Sequence, residues 1–165
     1  MSTMPILDFA PAGGSLPFLS GGGACAELIA SRDWSATPLG PIAQWPHCLT
    51  GALSILLRSR VPMVMMWGPA GVMLYNDAYS NFAGGRHPGS LGSDVRESWP
   101  EIAAFNDAII KAGLAGETPH FRDQEMTLLR NGTPEVIAHG VGRKVLRGGR
   151  LADSPYGCRH RRFMF

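Results

Sequence analysis

Cysteine is scarce in this chain. Cys25, Cys48 and Cys158 are an odd number at no ligand-like spacing, which argues against a disulfide framework. It argues equally against zinc, which wants C-x-x-C pairs or His partners. Three free thiols are the expectation. Long apolar runs are also missing: none reaches the roughly 18–20 residues that span a bilayer. Arg58 and Arg60 separate Ile55-Leu56-Leu57 from the run at Pro62–Trp67, so the two cannot merge into one span. No Lys or Arg precedes the apolar residues of the N-terminus, so a secretory signal is not indicated. The cytoplasm is the expected location. Catalytic signatures are lacking as well: there is no G-x-S-x-G elbow, no P-loop and no H-E-x-x-H. The Gly-rich stretches at Gly21 and Gly148 lack the strand-then-helix context that cradles phosphate. Charged residues are thin at 17%, against about a quarter in an ordinary domain.

What remains is enough for one domain. The 165 residues are 45% hydrophobic, which supports a single core but not two large ones. Residues 1–23, rich in Gly, Pro, Ser and Ala, read as a flexible leader. Residues 24–60 read as a helical flank. A short helix lies within Ala24–Trp34, and Ser35–Pro41 connects it to a second that opens at Pro46. Trp45, Leu49, Ala52, Leu53, Leu56 and Leu57 then fall on one face at helical spacing. That amphipathic stripe either covers the domain's own sheet or pairs with a second copy.

The centre of the chain is Pro62–Phe82. Pro62–Trp67 is a short apolar run suited to a buried strand, Gly68-Pro69-Ala70-Gly71 is a turn, and Val72–Tyr75 is a second apolar run. The three predict an antiparallel hairpin. Asn76-Asp77 breaks the strand and supplies a cap for a helix carrying Tyr79 and Phe82. Ala83 to Leu91, with Gly84-Gly85, Arg86, His87, Pro88 and Gly89, is a loop by composition. Ser98 with Glu101 has the spacing of a capping box, predicting a helix over Trp99–Ala115 that Gly116 ends. Phe121–Arg130 predicts a third strand, and Asn131-Gly132 is the strongest hairpin turn signal in the chain.

Order and spacing of these features resemble a known family. The residues are Trp34-Ser35-Ala36-Thr37-Pro38-Leu39-Gly40-Pro41, Trp45-Pro46, Pro62-Met63, Trp67-Gly68, Tyr75-Asn76-Asp77-Ala78-Tyr79, His87-Pro88, Leu91-Gly92, Trp99-Pro100-Glu101-Ile102 and Arg130-Asn131-Gly132. Over about Ala24 to Gly132 the chain is similar to the PAS sensor segments near the N-termini of bacterial sensor histidine kinases. The resemblance implies an α+β fold: an antiparallel sheet with flanking helices, preceded by an N-terminal amphipathic helix. It implies a sensory input domain of a two-component system that binds a small ligand or partner and modulates a downstream kinase. It also implies a parent protein with ATP-dependent autophosphorylation. This chain carries neither a phosphoacceptor His on a dimerising helix nor the nucleotide-binding boxes, so it is not itself expected to be an enzyme. A homodimer through the helix at 45–60 is a further expectation.

The family's pocket lies between the sheet face and the helices. Met65, Trp67, Leu74, Tyr79, Phe82, Trp99, Phe105, Ile109 and Met126 are therefore its candidate lining, with His87 as a ligand contact from the loop. The same side chains would also serve as a plain core, and His87 as a plain turn residue. The cofactor is open. No Asn-Cys-Arg-type motif suits a flavin with a cysteinyl photocycle, and no His on the long helix suits a haem.

After residue 133 the pattern breaks. Pro134 removes a ladder donor, and His139-Gly140 interrupts the apolar run. Residues 1–136 hold 8 Lys+Arg against 12 Asp+Glu, whereas residues 137–165 hold 7 against Asp153 alone. Residues 61–133 thus read as a partial PAS core and 134–165 as a basic, irregular tail. With two strands missing, the surface of Met63, Met65 and Trp67 is expected to lie uncovered and the fold to be marginal. A reading-frame change near Gly132–Val141 accounts at once for the charge, the lost periodicity and the early end. The rival is a genuine tail whose Arg159, His160, Arg161, Arg162, Phe163 and Phe165 touch nucleic acid. Translation of the underlying nucleotide sequence in the other frames past Gly132 is expected to show an alternating, aromatic strand; its absence in every frame refutes the frame change.

Overall fold

The computed structural model describes residues 16–117, 119, 124–139, 145–146 and 163–164. Its centre is the expected hairpin. β1 (Val64–Trp67) pairs antiparallel with β2 (Val72–Tyr75) in the register Val64↔Tyr75, Met65↔Leu74, Met66↔Met73, Trp67↔Val72. All eight residues are buried, as an unbroken apolar run requires when both faces of a sheet are covered. The turn needs glycine at Gly71 for two reasons. Its φ is +58°, and a Cβ there would sit 2.5 Å from Ile110 Cδ1. The outer edge of β2 is occupied by irregular chain: Met73 N donates to Ser93 O (2.9 Å), Gly92 N to Met73 O (2.7 Å) and Val95 N to Gly71 O (3.2 Å).

Helices cover both faces. α1 (Gly23–Ser31) and α2 (His47–Leu57) come before the hairpin. α2 buries Leu49, Leu53, Leu56 and Leu57 and packs on β1 and β2, so the amphipathic stripe is used within the chain; Ile55 stands exposed on the opposite side. The expected leader is in part ordered structure. Pro17–Leu19 forms a 3-10 turn beside α2, and Leu19 is buried. Residues 1–15 lie outside the described residues. Beyond the hairpin come α3 (Asp77–Ala83), α4 (Val95–Ser98), a 3-10 turn at Pro100–Ile102 and α5 (Ala103–Ala115). Gly116 ends α5 in the left-handed region, as expected.

The capping box does not form. Ser98 closes α4, whose N-cap is Asp94, accepting from Arg96 N, and Glu101 turns away to pair with Arg86. Pro100 favours the tight turn that separates α4 from α5. A second correction concerns the chain after Gly132. β3 (Gln124–Leu128) pairs antiparallel with β4 (Glu135–His139), from Gln124↔His139 to Leu128↔Glu135. Pro134 precedes β4, where no ladder donor is needed, so a fourth strand does follow the Asn131-Gly132 turn. Two-residue strands β5 (Val145–Leu146) and β6 (Phe163–Met164) pair antiparallel, and β6 lies near β1. The fold is α+β, and its described strands form three separate antiparallel pairs. The start of the expected third strand at Phe121 and the rest of the basic tail lie outside the described residues. The anticipated exposed surface is covered: Met65 is 0% and Trp67 2% exposed, with Met63 half-buried. Among the described residues no helix is long and apolar enough to cross a membrane.

Asn76 joins these parts. Its Oδ1 accepts from Met63 N (3.1 Å) and Tyr79 N (2.9 Å), and its Nδ2 donates to the carbonyls of Leu56 (3.2 Å), Ser59 (3.0 Å) and Val61 (2.8 Å). One buried amide thus caps α3, holds the entry to β1 and satisfies the end of α2. Substituting Asn76→Ala leaves five backbone groups to find other partners and is expected to destabilise the fold by about 3 kcal/mol or more. Urea unfolding of the purified chain measures it, and a loss below about 1 kcal/mol contradicts this role.

Candidate functional site

Strand alternation decides which side chains meet. Directly paired residues share a sheet face, so Val64, Met66, Met73 and Tyr75 point one way and Met65, Trp67, Val72 and Leu74 the other. A cavity lies over the first face, lined by Val64, Met66 and Met73 from the hairpin and by Tyr79 and Phe82 from α3. Val95, Trp99, Ile102 and Asn106 close it on the side of α4 and α5, and Met126 and Leu128 come from β3. The depression and its open mouth enclose about 400 Å³, of which about 10 Å³ admits the centre of a water-sized sphere. That is room for about one water molecule. Phe82, Ile102 and Met126 are half-buried and form the rim. No charged residue lines the cavity.

Of the residues expected at this site, Tyr79, Phe82, Trp99 and Met126 come together. Met65, Trp67 and Leu74 do not: they belong to the opposite face, toward α2. Val64, Met66 and Met73 stand in their place. Ile109 is buried on α5 outside the lining, and Phe105 is half-buried there. His87 is also outside; its Nδ1 lies 3.0 Å from the Tyr75 hydroxyl, so it supports the ring cluster from behind. Val95, Ile102, Asn106 and Leu128 complete the lining without having been expected. The helical spacing Ile102, Asn106, Ile109, Ile110 carried the signal, since Asn106 continues the apolar stripe of α5.

Aromatic rings form a continuous series at the site. Centroid separations are 5.0 Å for Tyr75–Tyr79, 5.2 Å for Tyr79–Phe82 and 6.0 Å for Phe82–Trp99. The Arg86 guanidinium stacks 4.5 Å from the centroid of Trp99, and Arg130 lies 5.3 Å from that of Phe82, both within cation–π range. Arg86 reaches both carboxylate oxygens of Glu101 (2.8 and 3.0 Å) as well as the Leu129 carbonyl, while Leu129 N donates to Glu101 (2.8 Å). The pair therefore fastens β3 to the 3-10 turn beside Trp99. Both side chains are largely shielded, at 17% and 15% exposure. Arg96 does comparable work below, bonding Asp94, Asp107 (3.1 Å) and the Pro69 carbonyl (3.0 Å).

Behind the hairpin, Asp77 accepts from Ala24 N (3.0 Å) and Cys25 N (2.7 Å). Cys25 is a free, buried thiol. Burial, followed by the hydrogen bond to Asp77 and its charge, pushes its pKa up to about 12, so it stays protonated and poorly nucleophilic. Cys48 is disulfide-bonded, which corrects the expectation of three free thiols; Cys158 lies outside the described residues. Among the described residues no group of three or more His, Cys, Asp or Glu is placed to hold a metal ion.

No family model matches this chain, and neither does any curated protein or solved structure.

The carboxylates at these junctions set an acid limit. Burial pushes Asp77 and Glu101 up, but their backbone and side-chain hydrogen bonds outweigh it and hold both below their ordinary values of 3.8 and 4.5. A carboxylate depressed in the folded state contributes stability that is fully present above its unfolded value and is lost as pH falls through the folded one. Stability is therefore expected to decline over roughly pH 5 to 2. Glu101→Gln is expected to flatten that decline while lowering stability at pH 7, because it leaves Arg86 without its charge partner. Urea midpoints at several pH values report both; an unchanged pH slope in the variant contradicts the role given to Glu101.

Proposed function

We propose that this chain is a sensory input module of PAS type that takes a small ligand in the cavity beneath β1 and β2 and modulates a downstream histidine kinase. The observation that carries the proposal is the cavity itself: an apolar recess on one sheet face, closed by α3, α5 and β3 and lined by three methionines and three aromatic rings. Recesses of this composition suit small molecules, and methionine side chains adapt to what enters. The hairpin that runs through a capping Asn76 into α3, together with the long α5, supports the family resemblance. In such a module an occupant acts by favouring one arrangement of its helices over another, a population shift rather than a reaction. The chain therefore needs no catalytic residue of its own.

The test is a chimera in which this chain replaces the input domain of a histidine kinase. Autophosphorylation is expected to change at least about threefold with some member of a panel of small apolar compounds, a shift of under 1 kcal/mol in the switching equilibrium. Asn76→Ala, which loosens the hairpin from α3, is expected to abolish that response. A rate that stays constant across the panel, in a chimera shown to be folded, overturns the proposal.

A further inference from the structure

Two buried nitrogen atoms without an acceptor belong to residues that line the cavity. Trp99 is 2% exposed and Asn106 1%, and both line the recess. Trp99 Nε1 and Asn106 Nδ2 are buried and meet no acceptor. Both groups can only donate. A buried donor left unmatched costs more than an ordinary hydrogen bond gains, so an acceptor brought to this place is rewarded more than it would be elsewhere in the apolar lining.

Charge decides which acceptor. The flanking guanidinium groups carry their own counter-ions: Arg86 has Glu101, Arg130 has Glu135, and Arg96 has Asp94 and Asp107. Arg130 Nε is a third buried donor without an acceptor, but Arg130 does not line the recess. A carboxylate ligand would be taken out of water with no counter-ion of its own, a penalty larger than two neutral donors return. An uncharged oxygen carries no such penalty. The inner space fits about one water-sized group, which suits a single oxygen atom, while the mouth at Phe82, Ile102 and Met126 suits an apolar body.

We infer that the site selects neutral carbonyl compounds with an apolar or aromatic body, the oxygen held inside by Trp99 Nε1–H and Asn106 Nδ2–H. The inference rests on the sensory reading above and narrows it to a ligand class.

Isotope-labelled full-length chain is titrated with acetophenone and with ethylbenzene, which has nearly the same shape and lacks the oxygen. Nuclear magnetic resonance follows the Trp99 indole N–H and the Asn106 side-chain amide; Trp99→Phe identifies the first signal by its loss. Acetophenone is expected to move both signals and to bind about tenfold more tightly than ethylbenzene, the sum of two modest hydrogen bonds. Benzoate is expected to bind more weakly than acetophenone. Trp99→Phe keeps an aromatic ring and Asn106→Leu the approximate volume, and each is expected to reduce the preference about threefold. Thermal unfolding checks that the variants fold, and either one alone suffices if the other does not. Equal affinity for acetophenone and ethylbenzene, tighter binding of benzoate, a preference that survives both substitutions, or no movement of either signal overturns the inference. The chimera assay separates this from the wider reading, because a kinase that responds to ethylbenzene keeps the sensory role and loses only the carbonyl preference.

Discussion

The fold depends on a single buried amide. Asn76 lies where β2 ends and α3 begins, and its side chain is the shared partner of the end of α2, the strand entry at Met63 and the first turn of α3. No other side chain meets these demands at this reach. Asp would offer no donors to the three carbonyls, Ser has one hydroxyl hydrogen and a shorter arm, and Gln would place its amide one carbon too far. Because the groups it satisfies are shielded, the interaction works through the penalty of its absence more than through its own strength. Everything on the cavity side inherits its position from this junction: α3 starts there, and Tyr79 and Phe82 follow.

The two faces of the hairpin have separate duties. Met65, Trp67 and Leu74 bind the sheet to α2 and complete a core, whereas Val64, Met66 and Met73 look toward α3 and α5. The first arrangement supplies rigidity through a large indole and tight burial. The second is built from flexible thioethers against a series of rings, with the Arg86–Glu101 pair closing the β3 side. One side of the hairpin is thus a firm platform and the other an adaptable surface.

Much of this was legible in the residues. The glycine turn between two apolar runs, the Asn-Asp break, the end of the long helix at Gly116 and the Asn131-Gly132 turn each depend on local backbone chemistry, and each is found where the residues place it. Which sheet face meets the cavity was not legible. In a run such as Val-Met-Met-Trp every residue is apolar, so the two-residue alternation carries no mark of inside or outside, and a shift of one residue exchanges the faces. Ser98 and Glu101 had the spacing of a cap, yet a long-range ion pair with Arg86 outweighed a local bond. The basic residues after His139 obscured β4, whose pairing with β3 is a tertiary fact. Asn106 was passed over because a polar residue in an apolar stripe reads as a flaw until its surroundings are seen.

The glycines ahead of α1 had the look of slack. Gly23 has φ of +69°, and a Cβ there would lie 2.0 Å from the Asp77 carboxylate, so its bareness is what lets the first turn of α1 sit on α3. The two helices are 52 residues apart at Cys25 and Asp77, and hydrogen bonds of this kind weaken steeply beyond about 3.2–3.5 Å. Tyr79 and Phe82 ride on the same short helix as Asp77. Any shift of α3 beyond that tolerance must therefore either draw α1 along with it or break both bonds to Asp77.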